Sequence, residues 1–216
     1  MERKKQTSKQ PDFATERALA GADCGAIAGV DEAGRGPWAG PVVAAAVILA
    51  EDTAPKGLRD SKLLSAAQRD RLYDAIREAA QVGLGIAAVE DIDRLNILQA
   101  TFLAMKRAVE ALGAVPGTVL IDGNACPPLS GRRVITVVGG DRLCPSIAAA
   151  SIIAKVTRDR LMAELAESFP GYGWQANKGY GTREHSGAIA RLGVTPHHRR
   201  SFAPIRAILE DMHSNT

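Results

Sequence analysis

No stretch of the 216 residues stays apolar for the roughly 18 positions that a membrane span needs, so no membrane partner is expected. The opening "MERKKQTSKQPDFATERALAG" lacks the apolar centre of a secretory leader, and the expectation is an intracellular, cytoplasmic protein. Cysteine is scarce. Cys24, Cys126 and Cys144 are odd in number, scattered and free of Cys-x-x-Cys spacing, which argues against a disulfide framework or a zinc site and leaves reduced, structural thiols. His185, His197 and His198 have no Cys or His partner at a zinc-binding spacing, so surface positions or phosphate contacts are expected of them. No Gly-x-Ser-x-Gly elbow surrounds Ser146 or Ser151, which read as small residues for close helix packing. Internal repeats and low-complexity blocks are also missing.

A strong overall charge is lacking too: the net value is only +3. Its distribution says more. Residues 155–206 hold nine Lys/Arg against four Asp/Glu, whereas residues 11–154 hold 14 against 17, so the basic excess is regional and suits a polyanion on one face. With 46% hydrophobic and 24% charged side chains, the chain fits one globular domain. Residues 1–22, with Arg3, Lys4, Lys5 and Lys9 and no periodic pattern, read as a flexible tail, and the folded domain as residues 23–216, beginning near Cys24.

Within that domain "AIAGVDE" and "GPVVAAAVILA" read as an antiparallel strand pair joined by a Gly/Pro loop. "SAAQRDRLYDAIREAA" opens with Ser65 and carries Gln68 three residues later, a capping box, then Leu72, Ile76 and Ala79 at helical spacing. "VGLGIAAVE" is a third strand. "DIDRLNILQATFLAMKRAVEALG" reads as one long helix with Leu95, Leu98, Phe102, Met105 and Val109 on its apolar face, ending before Gly113. "GTVLIDG" and "RRVITVVGGD" add two strands. A helix begins at Pro145, its first half rich in Ala and Ser and able to lie close to a sheet, its second half amphipathic. "PGYGWQANKGYGT" is read as loop, and "REHSGAIARLG" and "FAPIRAILEDM" as shorter helices. Trp38 and Trp174, in loops, are expected to pack against the domain edge. The order implies an α/β fold, a mixed sheet flanked by helices with a helical C-terminal region.

The chemistry is concentrated where apolar strands stop. Asp31 and Glu32 are adjacent between "AIAGV" and "AGRGP", Asp122 ends "TVLID", and Asp141 follows "VITVVGG". Alternation forbids Asp31 and Glu32 from facing one spot on a regular strand, so the strand is expected to end or bulge at this pair. Acids gathered at one sheet edge repel one another unless a cation compensates, and hard oxygen donors favour Mg²⁺ or Mn²⁺. Metal-dependent phosphodiester hydrolysis is the indicated chemistry.

Five motifs, "GVDEAGRGPWAGPVVAAAVIL", "LRDSKLLS", "LIDGN", "GGDRLCPSIAAASIIAKVTRDRLM" and "GYGWQANKGYGTREH", occur in order over about residues 25–205, and together they resemble the ribonuclease HII family, the type 2 ribonucleases H. The resemblance implies a ribonuclease H-like fold in which Asp31, Glu32, Asp122 and Asp141 bind two Mg²⁺ or Mn²⁺ ions. Asp159 is the rival to Asp141, but it lies mid-helix between Arg158 and Arg160, where an exposed ion-pairing role is the ordinary explanation. It further implies that Gly34, Arg35 and Gly36 read a ribose 2′-hydroxyl through backbone groups, that Tyr180 stacks on the sugar of the next deoxynucleotide, and that Ser61 and Lys62 contact substrate. The resemblance also makes His185 a candidate participant near the site, without a catalytic role assigned to it. The implied enzyme is a monomeric endonuclease acting on RNA–DNA hybrids and on ribonucleotide-containing duplex DNA, cutting 5′ of the ribonucleotide to leave 3′-hydroxyl and 5′-phosphate ends. Two rivals stand beside it: another metal-dependent nuclease of related fold, and a nucleic-acid binding module without catalysis, which predicts steep salt dependence and no turnover.

Overall fold

The computed structural model describes residues 10–20 and 25–214. The elements follow as α1 (Ala14–Leu19), β1 (Ile27–Ala33), β2 (Val42–Ile48), α2 (Ala66–Ala79), β3 (Gln81–Ala87), α3 (Val89–Leu95), α4 (Ile97–Glu110), β4 (Thr118–Asp122), β5 (Arg133–Val137), α5 (Pro145–Ser168), α6 (Trp174–Asn177), α7 (Arg183–Leu192) and α8 (Ala203–Ser214). The five strands form one mixed sheet in the order β3-β2-β1-β4-β5. The β1–β2 and β2–β3 pairs are antiparallel, and β1–β4 and β4–β5 are parallel.

Strand β2, "VVAAAVI", explains how both faces of the sheet are covered. Ala44 and Ala46 join the core under α4, while Ala45 and Val47 join the core under α2 and α5. Small residues at alternate positions let helices approach from either side. Helix α5 comes closest to β1: a Cβ on Gly29 would stand 2.2 Å from the Ser146 carbonyl carbon and 2.3 Å from the Ile147 nitrogen, so only glycine permits this contact. Fully buried Ile147, Ile152 and Ile153 then fill the space along α5, each contributing about 1.5–3 kcal/mol of burial. The capping box at Ser65 and Gln68 starts α2 as expected, and Pro145 opens α5.

Three expectations need correction. The long helix over residues 91–113 is two helices, because Asn96 adopts φ 72° and its Oδ1 accepts from the Leu98 and Gln99 amides, ending α3 and capping α4 in one residue. Met105 and Val109 are buried as expected, but Leu98 is exposed, and Ala100, Ala104 and Ala108 carry the buried face. The segment "PGYGWQANKGYGT" contains α6, whose Trp174 is fully buried and closes a satellite core with α7 and α8. Within residues 1–22, α1 is docked to the domain. Buried Glu16 accepts from the Ser146 amide (3.2 Å) and hydroxyl (2.8 Å), and the Asp12 amide donates to Leu143. Arg3, Lys4, Lys5, Lys9 and Cys24 lie outside the described residues. Cys126 and Cys144 are free thiols, and burial pushes Cys144 up to about 11. Among the described residues no helix is long and apolar enough to cross a membrane.

Candidate active site

The topology opens the sheet where the acids lie. Parallel pairing between β1 and β4 stops at Val30 opposite Ile121, so the next residues, Asp31 and Glu32 on one side and Asp122 on the other, flank the gap where the strands part. Contrary to expectation β1 neither ends nor bulges at the acidic pair: its antiparallel pairing with β2 runs on through Ala33 opposite Val43. What lets both acids reach one cavity is the missing neighbour beyond Val30, together with the longer reach of Glu32. Asp141 lies on the short 3₁₀ turn after β5, and this turn is tied to β4 because the Gly140 amide donates to Asp122 Oδ1 at 2.7 Å.

All ten residues singled out from the sequence line one cavity of about 380 Å³: Asp31, Glu32, Asp122 and Asp141, Gly34, Arg35 and Gly36, Ser61 and Lys62, and Tyr180. Asp31 and Asp141 are buried, whereas Tyr180 and Lys62 are exposed at the rim. Burial, then the charges of Glu32 and Asp122, push the Asp31 carboxyl well above the usual carboxylate range. Burial also raises Glu32, with Arg35 opposing it from 3.4 Å. For Asp141, burial followed by the charges of Asp60 and Asp122 raises the value to about 6.

Arg35, Lys62, Lys155 and Arg158 share the cavity lining, yet Asp31, Glu32 and Asp141 remain raised, because burial outweighs these cations. Among the described residues no three acidic, His or Cys side chains already close into a metal cage. Like-charged groups splay apart when nothing holds them together, and four carboxylates around one cavity, hard oxygen donors all, fit a divalent cation of the Mg²⁺ or Mn²⁺ type.

Asp159 does not line this cavity; it pairs with Lys155 at 2.7 Å along α5. Ser61 and Lys62 sit on a 3₁₀ turn (Ser61–Leu63) that Asp60 caps by accepting from the Lys62 amide and that Arg69 pins through the Ser61 and Leu64 carbonyls. The turn is fastened to α5 by the Ser151 hydroxyl, which donates to Ser61 Oγ at 2.8 Å. Ser151 therefore does more than permit packing: it lines the cavity with Lys155 and Arg158.

Arg158 and Arg199 are the residues of this region that the sequence does not announce. Both are fully buried, and among the described residues no carboxylate bonds to either. Arg158 donates to the carbonyls of Ala39, Pro41 and Lys178, and Arg199 to those of Gly34, Arg35, Gly40 and Pro41. Gly34 is required here twice over, since its φ is 99° and a Cβ would meet Arg158 Nε at 2.0 Å. Burial lowers Arg158 to about 10, and burial plus the charge of Arg158 lowers Arg199 to about 9, so both stay cationic at neutral pH. The basic, polar run "HHRRS" around Arg199 reads as surface in the sequence, and nothing local in it points to a buried guanidinium.

Two of the three histidines expected at the surface are not there; His197 alone is partly exposed. His185 and His198 are fully buried and linked Nε2 to Nε2 at 3.1 Å. His198 Nδ1 accepts from the Thr195 amide, so its Nε2 carries the proton and donates to His185 Nε2, which also accepts from Trp174 Nε1; His185 Nδ1 then donates to the Tyr180 carbonyl. The chain of bonds fixes the backbone under Tyr180 and requires both rings neutral. Burial lowers His185, and burial plus the neighbouring His185 lowers His198 to about 4.

A family model described as ribonuclease HII matches residues 28–205. The chain is 56% identical over 200 residues to the ribonuclease HII of Ruegeria pomeroyi, covering 93% of this chain and 86% of the relative. Among solved structures it is similar to the ribonuclease H2 of Pyrococcus horikoshii, with a TM-score of 0.72, 28% identity, and coverage of 87% of this chain and 98% of that one. It also shares the fold of Bst-RNase HIII, solved in complex with Mn²⁺, with a TM-score of 0.69 at 22% identity, covering 94% of this chain and 74% of that one.

Proposed function

The chain belongs to the ribonuclease HII family and is a ribonuclease H endonuclease, and on that premise we propose that it nicks 5′ of ribonucleotides in hybrids and in duplex DNA through the cavity lined by Asp31, Glu32, Asp122 and Asp141. The observation that supports the reading is the gathering of acids from β1, β4 and the turn after β5 beside a backbone loop with glycines on both sides of Arg35. The four carboxylates act as ligands. Two Mg²⁺ or Mn²⁺ ions bound there supply Lewis acidity for the attacking and leaving oxygens; the Mn²⁺ complex of Bst-RNase HIII is in keeping with that choice. Gly34, Arg35 and Gly36 present backbone to the ribose 2′-hydroxyl, and Tyr180, half-exposed and 3.5 Å from where a Gly36 Cβ would be, offers its ring to the adjoining sugar. Lys62 on the rim meets a phosphate. Ser61, held by Ser151, supports that turn.

The proposal includes one type 2 ribonuclease H domain over residues 23–216, acting as a monomer in the cytoplasm on nucleic acid. Its test is a duplex carrying one ribonucleotide, incubated with the chain and Mg²⁺ or Mn²⁺. The expected product is a single nick with 3′-hydroxyl and 5′-phosphate ends, lost in Asp31→Asn. Equal cutting of an all-DNA duplex would favour another nuclease of this fold, and binding without turnover would favour the non-catalytic module.

A further inference from the structure

Arg199 grips the carbonyls of Gly34 (2.5 Å) and Arg35 (2.9 Å) from beneath the loop. A trans peptide is planar, with its C=O and the following N–H pointing in opposite directions. Carbonyls drawn toward Arg199 therefore turn the amides of Arg35 and Gly36 the other way. Both residues line the cavity, and neither amide donates to another backbone group among the described residues. Two consecutive N–H donors thus stand together facing the space where a sugar would lie. Only a planar fork of five donors can hold Gly34, Arg35, Gly40 and Pro41 carbonyls at once; an ammonium has three donors and no plane.

We propose that Arg199 is a positioning residue for sugar discrimination: it never touches substrate, but by holding the Gly34 and Arg35 carbonyls it aims the Arg35 and Gly36 amides at the ribose 2′-oxygen, which accepts from them. The inference rests on the reading of the Gly34–Gly36 loop given above and deepens it. The buried charge also polarises the two peptides and strengthens their amides as donors. Arg158 is the natural comparison, since it is equally buried and clamps the same loop, yet holds Ala39, Pro41 and Lys178 and neither of the two carbonyls in question.

The experiment uses the full chain with Mg²⁺. It measures kcat/KM on a duplex with one ribonucleotide, with an all-DNA duplex and a 2′-fluoro duplex as competitors, and melting temperature as the check of folding. In Arg199→Lys, kcat/KM falls about tenfold or more, the scale of one or two well-made hydrogen bonds, while inhibition by the all-DNA duplex changes less than about threefold because phosphate contacts are untouched. In Glu16→Ala, which loosens α1 without touching the loop, the preference for ribose over deoxyribose stays at the wild-type ratio. A folded Arg199→Lys that keeps the wild-type ratio, or equal loss of the ratio in both variants, overturns the inference. Should Arg199→Lys not fold, the wild-type chain still decides. The 2′-fluoro duplex, which keeps an acceptor and no donor, must inhibit better than all-DNA, and equal or weaker inhibition overturns the inward-facing amides. A wild-type chain that treats ribose and deoxyribose alike would sink the reading of the loop as well, whereas intact discrimination in Arg199→Lys sinks the role of Arg199 alone.

Discussion

Replacing Asp141 by asparagine should stabilise the metal-free protein while abolishing its activity. The carboxyl is buried and its value is raised from 3.8 to about 6 by burial and by Asp60 and Asp122. Above pH 3.8 the unfolded chain releases this proton while the folded chain retains it until about pH 6, so the folded state loses stability across that window and stays penalised above it. At about 1.36 kcal/mol per tenfold change in proton affinity the ceiling is about 3 kcal/mol. Screening at the cavity mouth brings the expected gain for Asp141→Asn to about 1–2 kcal/mol, or about 3–6 °C in melting temperature for a chain of this size. The assay is thermal unfolding in chelator at pH 8 and pH 4. The gain should be present at pH 8 and nearly gone at pH 4, and added Mg²⁺ or Mn²⁺ should reverse the order by stabilising the wild type alone. An Asn variant that is no more stable than wild type at pH 8 in chelator, or whose advantage ignores pH, would refute the account of a site strained by its own charge.

Gly29→Ala should lower stability by about 3 kcal/mol or more in urea unfolding, because the new methyl group meets α5 backbone at 2.2 Å and neither partner can yield without separating helix from sheet. His198 is held to about 4 against an ordinary 6.5, so stability is full above pH 6.5 and falls as pH drops toward 4, by about 3 kcal/mol in all; urea midpoints across that range should show the slope, and His198→Gln should flatten it. Glu16→Ala should free α1 and cost about 1–2 kcal/mol, with faster amide exchange confined to residues 12–20, because the Ser146 amide and hydroxyl lose their acceptor.

Features written in neighbouring residues were legible in the sequence. The Ser65/Gln68 capping box, Pro145 at the start of α5, and the alternation or continuity of five apolar runs each depend on contacts a few residues apart, and the sheet follows from them. The acids were legible because each ends an apolar run, a pattern visible without knowing which strands are neighbours. What the sequence concealed depends on partners far along the chain. His185, Arg158 and Arg199 look like surface residues by type, since nothing nearby announces that carbonyls, another imidazole or an indole will satisfy them. Asn96 hid its helix break because the surrounding leucines and alanines keep helical period through it, and the side chain alone pays for the interruption with two amide bonds. Glu16 was concealed likewise, its partner Ser146 being 130 residues away.

The loop held by Arg199 also has an order of assembly built into it. Arg35 leaves the ribosome 164 residues before the guanidinium that holds its carbonyl, so a nascent chain already owns β1, β2, all four acids and even the Arg158 clamp while the Gly34 and Arg35 carbonyls still wait for their donor. On the proposal made above for Arg199, selectivity is then the last property to mature, and a protein cut short before residue 199 would keep its acids without the guanidinium that aims the loop.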